Sequence, residues 1–221
     1  MRHIAGGCVM LGLALLGACG DDGYGQARTL ESTGDTSSTA GEETTTTTEA
    51  PTDLDAVVLQ LDELPTGYTV DAQNEGSDDS DEDDACPENP DERVPADETV
   101  EVGYTAGDLG PFASNIVGQY SDEATALEYM GAAREAFAEC PEYTDPEDGN
   151  VYTFSSLSFP DLGDDTFAIR MSGNTTVGPV TSDLIYIRVD DRVTVVANLA
   201  FDTRVDSELT EEWSRAVADR M

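Results

Sequence analysis

The chain contains four cysteines, and the chemistry of a cysteine depends on the cellular compartment in which the protein resides. Cys19 ends an apolar run that follows a short, positively charged start, and Asp21 and Asp22 come almost directly after it. The run is about 13 to 15 residues long, which is typical of an export signal and too short to span a bilayer. We therefore expect cleavage next to Cys19, and we expect Cys8 to be lost with the cleaved segment.

The residues before Cys19 resemble the lipobox of bacterial lipoproteins. Leu16 is the aliphatic residue three positions upstream, and the small residues Gly17 and Ala18 lie between. The resemblance implies a signal peptide at residues 1–18. It also implies that Cys19 carries lipid, including fatty acids such as palmitate, and anchors an extracytoplasmic chain to the cell membrane. An ordinary secretory signal cut after Ala18, or an uncleaved anchor, are the alternatives.

Cys86 and Cys140 are the two thiols that remain after export and lipidation. An even pair in an oxidising compartment predicts a disulfide. It would close a loop of about 50 residues and stabilise the fold by about 3 to 4 kcal/mol. Two thiols could instead bind a metal, but the only histidine, His3, leaves with the signal. We therefore expect no metal site and no cofactor.

The composition excludes several classes of chemistry. The chain has Lys+Arg 10 and Asp+Glu 47, a formal net charge of −37, and every basic residue is arginine. Such a charge repels nucleic acid. The expected mature chain has neither histidine nor lysine, which excludes His-activated nucleophiles and Schiff-base lysines. We therefore expect no enzyme, and a hydrolase that uses carboxylates alone is the least favoured class.

Positive charges are scarce in this acidic domain, and three of them lie on or beside predicted neighbouring strands: Arg170, Arg188 and Arg192. They could converge on an anionic ligand through bidentate contacts. Alternatively, they neutralise nearby carboxylates. Asp164 and Asp165 are the acid pair closest in sequence to Arg170, and they form either a site or a solvated turn.

Composition divides the chain into three parts. Residues 19–52 are rich in Thr, Ser and Glu with few large apolar side chains, which predicts a disordered linker that could be O-glycosylated. Residues 53–221 form one domain. Within it, the acidic stretch 76–84 fails as a calcium loop, since counting from Asp79 places Asp84 and Pro90 where glycine and glutamate are needed.

Periodicity in the domain predicts an α+β fold: an antiparallel sheet of about six strands packed with two long helices in the order ββαββββα, preceded by the disordered tether. The first helix is expected to begin at the N-cap Ser121 and to end at Cys140, which would lie beside Phe137 on the buried face. Asp206 is expected to cap the second helix. The helices could cover one face or one each of two faces. The strands are expected at residues 100–104, 112–120, 151–159, 166–171, 183–189 and 192–201.

Residues 110–221 resemble the PknH-like extracellular domain, the sensor region of certain actinobacterial transmembrane kinases that also occurs as stand-alone lipoproteins. The similarity is carried by Glu135–Cys140, by Phe159–Arg170 with its Gly-Asp element, and by Ile187–Val193 with its Arg-bearing hairpin. It implies an α+β fold and a binding or sensing role for an unknown ligand. A PsbP-like antiparallel fold is the structural alternative.

Three function classes follow from these observations. A tethered ligand-binding or sensor-like domain predicts a concave pocket between sheet and helix. A scaffold lipoprotein that docks an envelope protein predicts a flat apolar patch. A carboxylate-only hydrolase predicts paired acids deep in a cleft with raised pKa values. The expected partners are the membrane, through the N-terminal lipid, and an unknown small ligand or envelope protein.

Overall fold

The structure, a computed structural model, describes residues 53–71, 89–145, 149–201 and 204–221. The predicted signal peptide, Cys19, the linker and the acidic stretch 76–84 lie outside the described residues. So does Cys86, and its pairing with Cys140 stays a prediction. In the described part of the chain, no helix is long and apolar enough to cross a membrane.

The described residues form one eight-stranded antiparallel sheet, with the strand order β1-β2-β3-β8-β7-β6-β5-β4. The strands are β1 (Thr69–Val70), β2 (Glu98–Thr105), β3 (Phe112–Gln119), β4 (Glu142–Thr144), β5 (Val151–Ser156), β6 (Asp165–Thr175), β7 (Gly178–Val189) and β8 (Arg192–Phe201). The helices are α1 (Pro90–Arg93), α2 (Glu123–Glu139) and α3 (Ser207–Ala218), and 3₁₀ turns lie at Leu54–Ala56 and Leu61–Glu63.

The predicted fold class of about six strands with two long helices is therefore wrong. The unpredicted strands are β1, with 2 residues, and β4, with 3 residues. Elements this short show no alternation of buried and exposed residues, and they are defined only by hydrogen bonds to a neighbouring strand. The unpredicted helix α1 is a single turn of 4 residues with Pro90 at its first position.

The central strands β7 and β8 are buried on both faces of the sheet. Ile185 and Ile187 of β7 belong to the same core cluster as Trp213 of α3. Leu184 and Tyr186, which alternate with them, pack in a second cluster with residues of α2. The two long helices thus cover opposite faces, and this decides between the two arrangements that the sequence left open.

Helix α2 begins at the N-cap Asp122 rather than at the predicted Ser121. The Asp122 Oδ1 accepts a hydrogen bond of 2.8 Å from the Thr125 N–H, and this bond lowers the pKa of Asp122. Both residues can cap a helix, and a carboxylate gains further from the helix dipole. At the other end, Cys140 is the C-cap and is buried, and Phe137 is also buried, as the predicted stripe required.

Helix α3 is capped by Asp206, as predicted, and the Asp206 Oδ1 accepts from the Glu208 and Leu209 N–H groups. Its buried face also contains Thr210, which the apolar pattern did not indicate. The Thr210 hydroxyl accepts a hydrogen bond of 2.9 Å from the amide of Asn198 on β8. Both side chains also donate to the Asp206 carbonyl, at 3.0 Å from Thr210 and 3.3 Å from Asn198, so these buried polar groups are satisfied at the start of α3.

Asn115 of β3 fastens the start of the domain to the sheet. It is fully buried, and its Oδ1 accepts a hydrogen bond of 2.9 Å from the Leu59 N–H. Its Nδ2 donates to the Thr194 hydroxyl at 2.7 Å. The Leu59 carbonyl oxygen accepts from the Tyr104 hydroxyl at 2.7 Å, so both backbone polar groups of Leu59 are held by side chains.

Replacing Asn115 with leucine should lower the free energy of unfolding by about 1 to 3 kcal/mol, because the Leu59 N–H loses its partner in a buried position. Urea denaturation measures the change. Ser114→Ala is the matched control, since Ser114 is the preceding residue of the same strand and points to the other face. Equal effects of the two variants would contradict the role given to Asn115.

Candidate functional site

A groove of about 520 Å³ lies between the C-terminal half of α2 and the adjoining parts of β5 and β6. We call it the α2–β6 groove. Its volume lies within the range of about 300 to 1,000 Å³ that small-molecule sites occupy. The lining residues are Arg134, Phe137, Ala138, Phe154, Ser155, Ser156, Leu157, Ser158, Phe159, Thr166, Phe167, Ala168 and Ile169.

The groove opens where β5 stops pairing with β6. The last paired residues are Ser156 and Ile169. One further hydrogen bond, of 2.9 Å, runs from the Leu157 N–H to the Ala168 carbonyl, and the chain then leaves the sheet edge. The N-terminal part of β6, from Asp165 to Ala168, is therefore bordered by residues 157–162 and by α2 instead of a strand.

Four phenylalanines line the groove. Phe137 and Phe154 have ring centroids 5.3 Å apart, and Phe167 stacks on Tyr186 with a centroid distance of 4.5 Å and an interplanar angle of 9°. Phe159 makes no contact with another ring among the described residues; it is half-buried and packs against the core on the α3 side. Phe159 is thus the ring of the groove that no other ring covers.

Arg134 is the charged residue of the groove lining. Its guanidinium donates two hydrogen bonds to the carboxylate of Asp165, of 2.9 and 2.5 Å, and lies 4.7 Å from the centre of the Phe167 ring. The ion pair neutralises the arginine and holds it against the ring. Sequence reasoning missed Arg134, although a signal existed: it is the one basic residue within α2.

Arg170, a predicted ligand residue, is bound within the protein. Its Nε and one Nη donate to the two carboxylate oxygens of Asp183 at 2.6 and 2.8 Å, and the side chain of Asp183 has 0% exposure. Hydrogen bonding to Asp183 raises the pKa of Arg170. The same guanidinium donates to the Ser207 hydroxyl at 3.2 Å and so ties β6 to the start of α3.

Arg188, the second predicted ligand residue, is also bound within the protein. It is buried, and it donates to the Asp190 carbonyl at 2.9 Å and lies 3.5 Å from the carboxylate of Asp164. Gly163 lets the chain before Asp164 pass close to the Arg188 backbone. Its φ is +62°, and a Cβ there would lie 2.5 Å from the Arg188 carbonyl oxygen.

Arg192, the third, donates to the Gln119 side chain at 2.7 Å and to the Met221 carbonyl at 3.3 Å. The structure therefore places Arg170, Arg188 and Arg192 in separate networks, and none of them lines the α2–β6 groove. Their binding of an anionic ligand remains a prediction.

The neighbouring acids Asp164 and Asp165 bind different arginines, Arg188 and Arg134. Asp164 also accepts a hydrogen bond of 2.8 Å from the Asp190 N–H. The pair thus belongs to two ion-pair networks at the start of β6. Among the residues that the structure describes, no group of three or more Asp, Glu, His or Cys side chains could hold a metal ion.

Asp91 of α1 is the acid with the most perturbed environment among the described residues. Its Oδ2 is buried without a hydrogen-bond partner, and burial raises the pKa of Asp91 to about 7. A cavity of about 20 Å³ lies beside it, lined in part by Tyr120 and Tyr129, whose pKa values burial also raises. That volume suits one water molecule.

The fold and the groove define an antiparallel-sheet domain with helices on both faces and an open site of ligand size. No family model matches the chain, and no curated protein matches it. Among solved structures, the chain is similar to the extracellular domain of PknH from Mycobacterium tuberculosis, with 11% identity and a TM-score of 0.45. The match covers 55% of this chain and 62% of that chain. A likeness at this level does not show the family that residues 110–221 resemble.

Replacing Asp91 with asparagine should change how stability depends on pH. The native state holds this proton more tightly than the unfolded chain, because the pKa rises from 3.8 to about 7. In the wild type, the contribution of Asp91 to the free energy of unfolding should therefore fall by on the order of 4 kcal/mol between pH 4 and 7 and stay low above pH 7. Asparagine has the shape of the protonated acid.

The Asp91→Asn variant should match the wild type at pH 4 and exceed it at pH 8, as measured by urea denaturation. Subtracting one pH profile from the other removes the contribution of the remaining carboxylates. A difference that does not vary with pH would contradict a proton held by Asp91.

Proposed function

We propose that this protein is a lipid-anchored, extracytoplasmic domain that binds a ligand in the α2–β6 groove without converting it chemically. The observation that carries the proposal is the groove itself, a concavity of about 520 Å³ between helix and sheet. A ligand-binding or sensor-like domain requires such a concavity. The lipobox resemblance at Cys19 supports the address.

The lining of the groove favours binding over catalysis. General acid–base chemistry needs a group that gives or takes a proton near neutral pH. The lining residues include no Asp, Glu, His, Cys or Tyr, and their one ionisable side chain, Arg134, is paired with Asp165. Asp91 has a raised pKa, but it lies at a separate cavity that suits only one water molecule. These observations argue against a carboxylate-only hydrolase.

A scaffold that docks a partner on a flat apolar face has less support. In the described residues, the large apolar side chains that are exposed belong to different elements or connections rather than to one strand or helix face. They are Leu61, Val70, Leu109, Leu127, Val151 and Val177.

Replacing Cys19 with serine should release the protein from the membrane, because a hydroxyl oxygen does not replace the sulfur as lipid acceptor. Sedimentation of vesicles followed by detection of the protein in pellet and supernatant measures the release, and radiolabelled palmitate tests for the acyl chain directly. Cys8→Ser is the control and should leave the protein in the pellet. A Cys19→Ser protein that sediments as firmly as the wild type would contradict the anchor.

Replacing Ala138 with tryptophan should fill the groove without disturbing the core, since Ala138 is exposed and lies on its lining. Native mass spectrometry of the full chain, extracted from its own membrane, should show a non-covalently bound mass in the wild type. The bound fraction should fall at least about tenfold in Ala138→Trp, because an indole occupies the site. Ala124→Trp is the control, an exposed alanine of the same helix away from the groove. Equal retention by both variants, or no bound mass in any, would contradict binding in the groove.

A further inference from the structure

We infer that the ligand of the α2–β6 groove is an uncharged carbohydrate chain. The inference rests on the proposed function and names the chemical class that the groove recognises. Its evidence is the charge, the hydroxyl groups and the half-buried Phe159 ring of the lining, together with the hydrogen bonds already made along the edge of β6.

The charges of the groove favour a neutral ligand. The protein carries a formal net charge of −37, which repels anions. The one positive side chain of the lining, Arg134, is held by two hydrogen bonds to Asp165 and offers no free charge to an anion. A cation finds no carboxylate among the lining residues. Neither an anionic nor a cationic ligand would therefore find an unpaired opposite charge in the groove lining.

The lining presents hydroxyl groups and an aromatic surface side by side. Ser156 and Ser158 are exposed, line the groove, and make no side-chain hydrogen bond among the described residues. Phe159, next to Ser158, packs against the core and is half-buried, and its ring lines the groove without contacting another ring among the described residues. Hydroxyls exchange hydrogen bonds with other hydroxyls, and the negative face of a ring attracts the polarised C–H groups on the flat side of a sugar.

The shape and polarity of the groove disfavour an acyl chain. An acyl chain gains most from an enclosed apolar tunnel, because its stabilisation grows with the apolar area removed from water. The α2–β6 groove is open to solvent, and serine and threonine hydroxyls stand among its phenylalanines.

A peptide is disfavoured because residues 157–162 already lie along the edge of β6 here, where an added strand would have to pair. Peptides that add to a sheet use the free N–H and C=O groups of an edge strand. The Ala168 carbonyl accepts from the Leu157 N–H, and the Thr166 hydroxyl exchanges hydrogen bonds with the backbone of Leu162. Recognition in the groove therefore falls to side chains, which suits a sugar better than an added strand.

The test uses the full lipidated chain in a detergent without a sugar headgroup. Saturation-transfer NMR and calorimetry measure binding of uncharged hexasaccharides of glucose, galactose, mannose or N-acetylglucosamine. A hexasaccharide of uronic acid and an uncharged Gly/Ser hexapeptide are the comparison probes. At least one neutral sugar should bind, with saturation of its C–H protons, and Phe159→Ala should weaken it about tenfold. Ala138→Trp should abolish binding and Ala124→Trp should leave it unchanged.

The outcomes separate this inference from the proposed function. If no neutral sugar binds, while the mass retained from the membrane is still lost in Ala138→Trp, the groove binds another class of ligand and only the carbohydrate inference fails. Binding of the peptide or the uronic acid in preference to every neutral sugar overturns it as well. If neither the sugars nor the retained mass respond to Ala138→Trp, both fail. Circular dichroism of each variant confirms that the fold is intact.

Discussion

The burial of β7 and β8 on both faces is the constraint on which the rest of the domain depends. Antiparallel sheets commonly leave one face in water, and their strands then alternate apolar and polar residues. Here the two central strands are buried almost throughout, so each face needs its own cover. Helix α2 covers one face, and α3 with the first residues of the domain covers the other. Losing either layer would expose apolar surface in the centre of the sheet.

The polar groups beneath α3 show what this arrangement requires. Asp183, Asn198 and Asn115 all lie on the covered face and are buried. Each has a partner in the covering layer: Ser207 of α3 for Asp183, which also binds Arg170, then Thr210 for Asn198 and the Leu59 backbone for Asn115. A buried polar group without a partner costs free energy, so these pairs also fix how the covering segments sit on the sheet.

Much of the framework could be predicted from local patterns. The long apolar run of β8 and the stripe and cap of α3 are visible in the sequence, because strand and helix patterns are short-range properties. The strand count was wrong because β1 and β4 are too short to have a period. The groove could not be predicted either, since it exists where β5 loses its partner, and pairing is set by distant residues. Likewise, the partners of Arg170 and Arg188 depend on strand register.

The tight turn between β7 and β8 has a consequence for the chain before it folds. These strands are long, rich in Val and Ile, and uncharged over most of their length, which makes them the segments most prone to aggregate while unpaired. Only Asp190 and Asp191 separate them, so they can form a hairpin within about 1 to 10 μs. Arg188 and Arg192 flank the same turn and act as gatekeepers. Strands β7 and β8 can therefore pair with each other before either strand contacts another molecule.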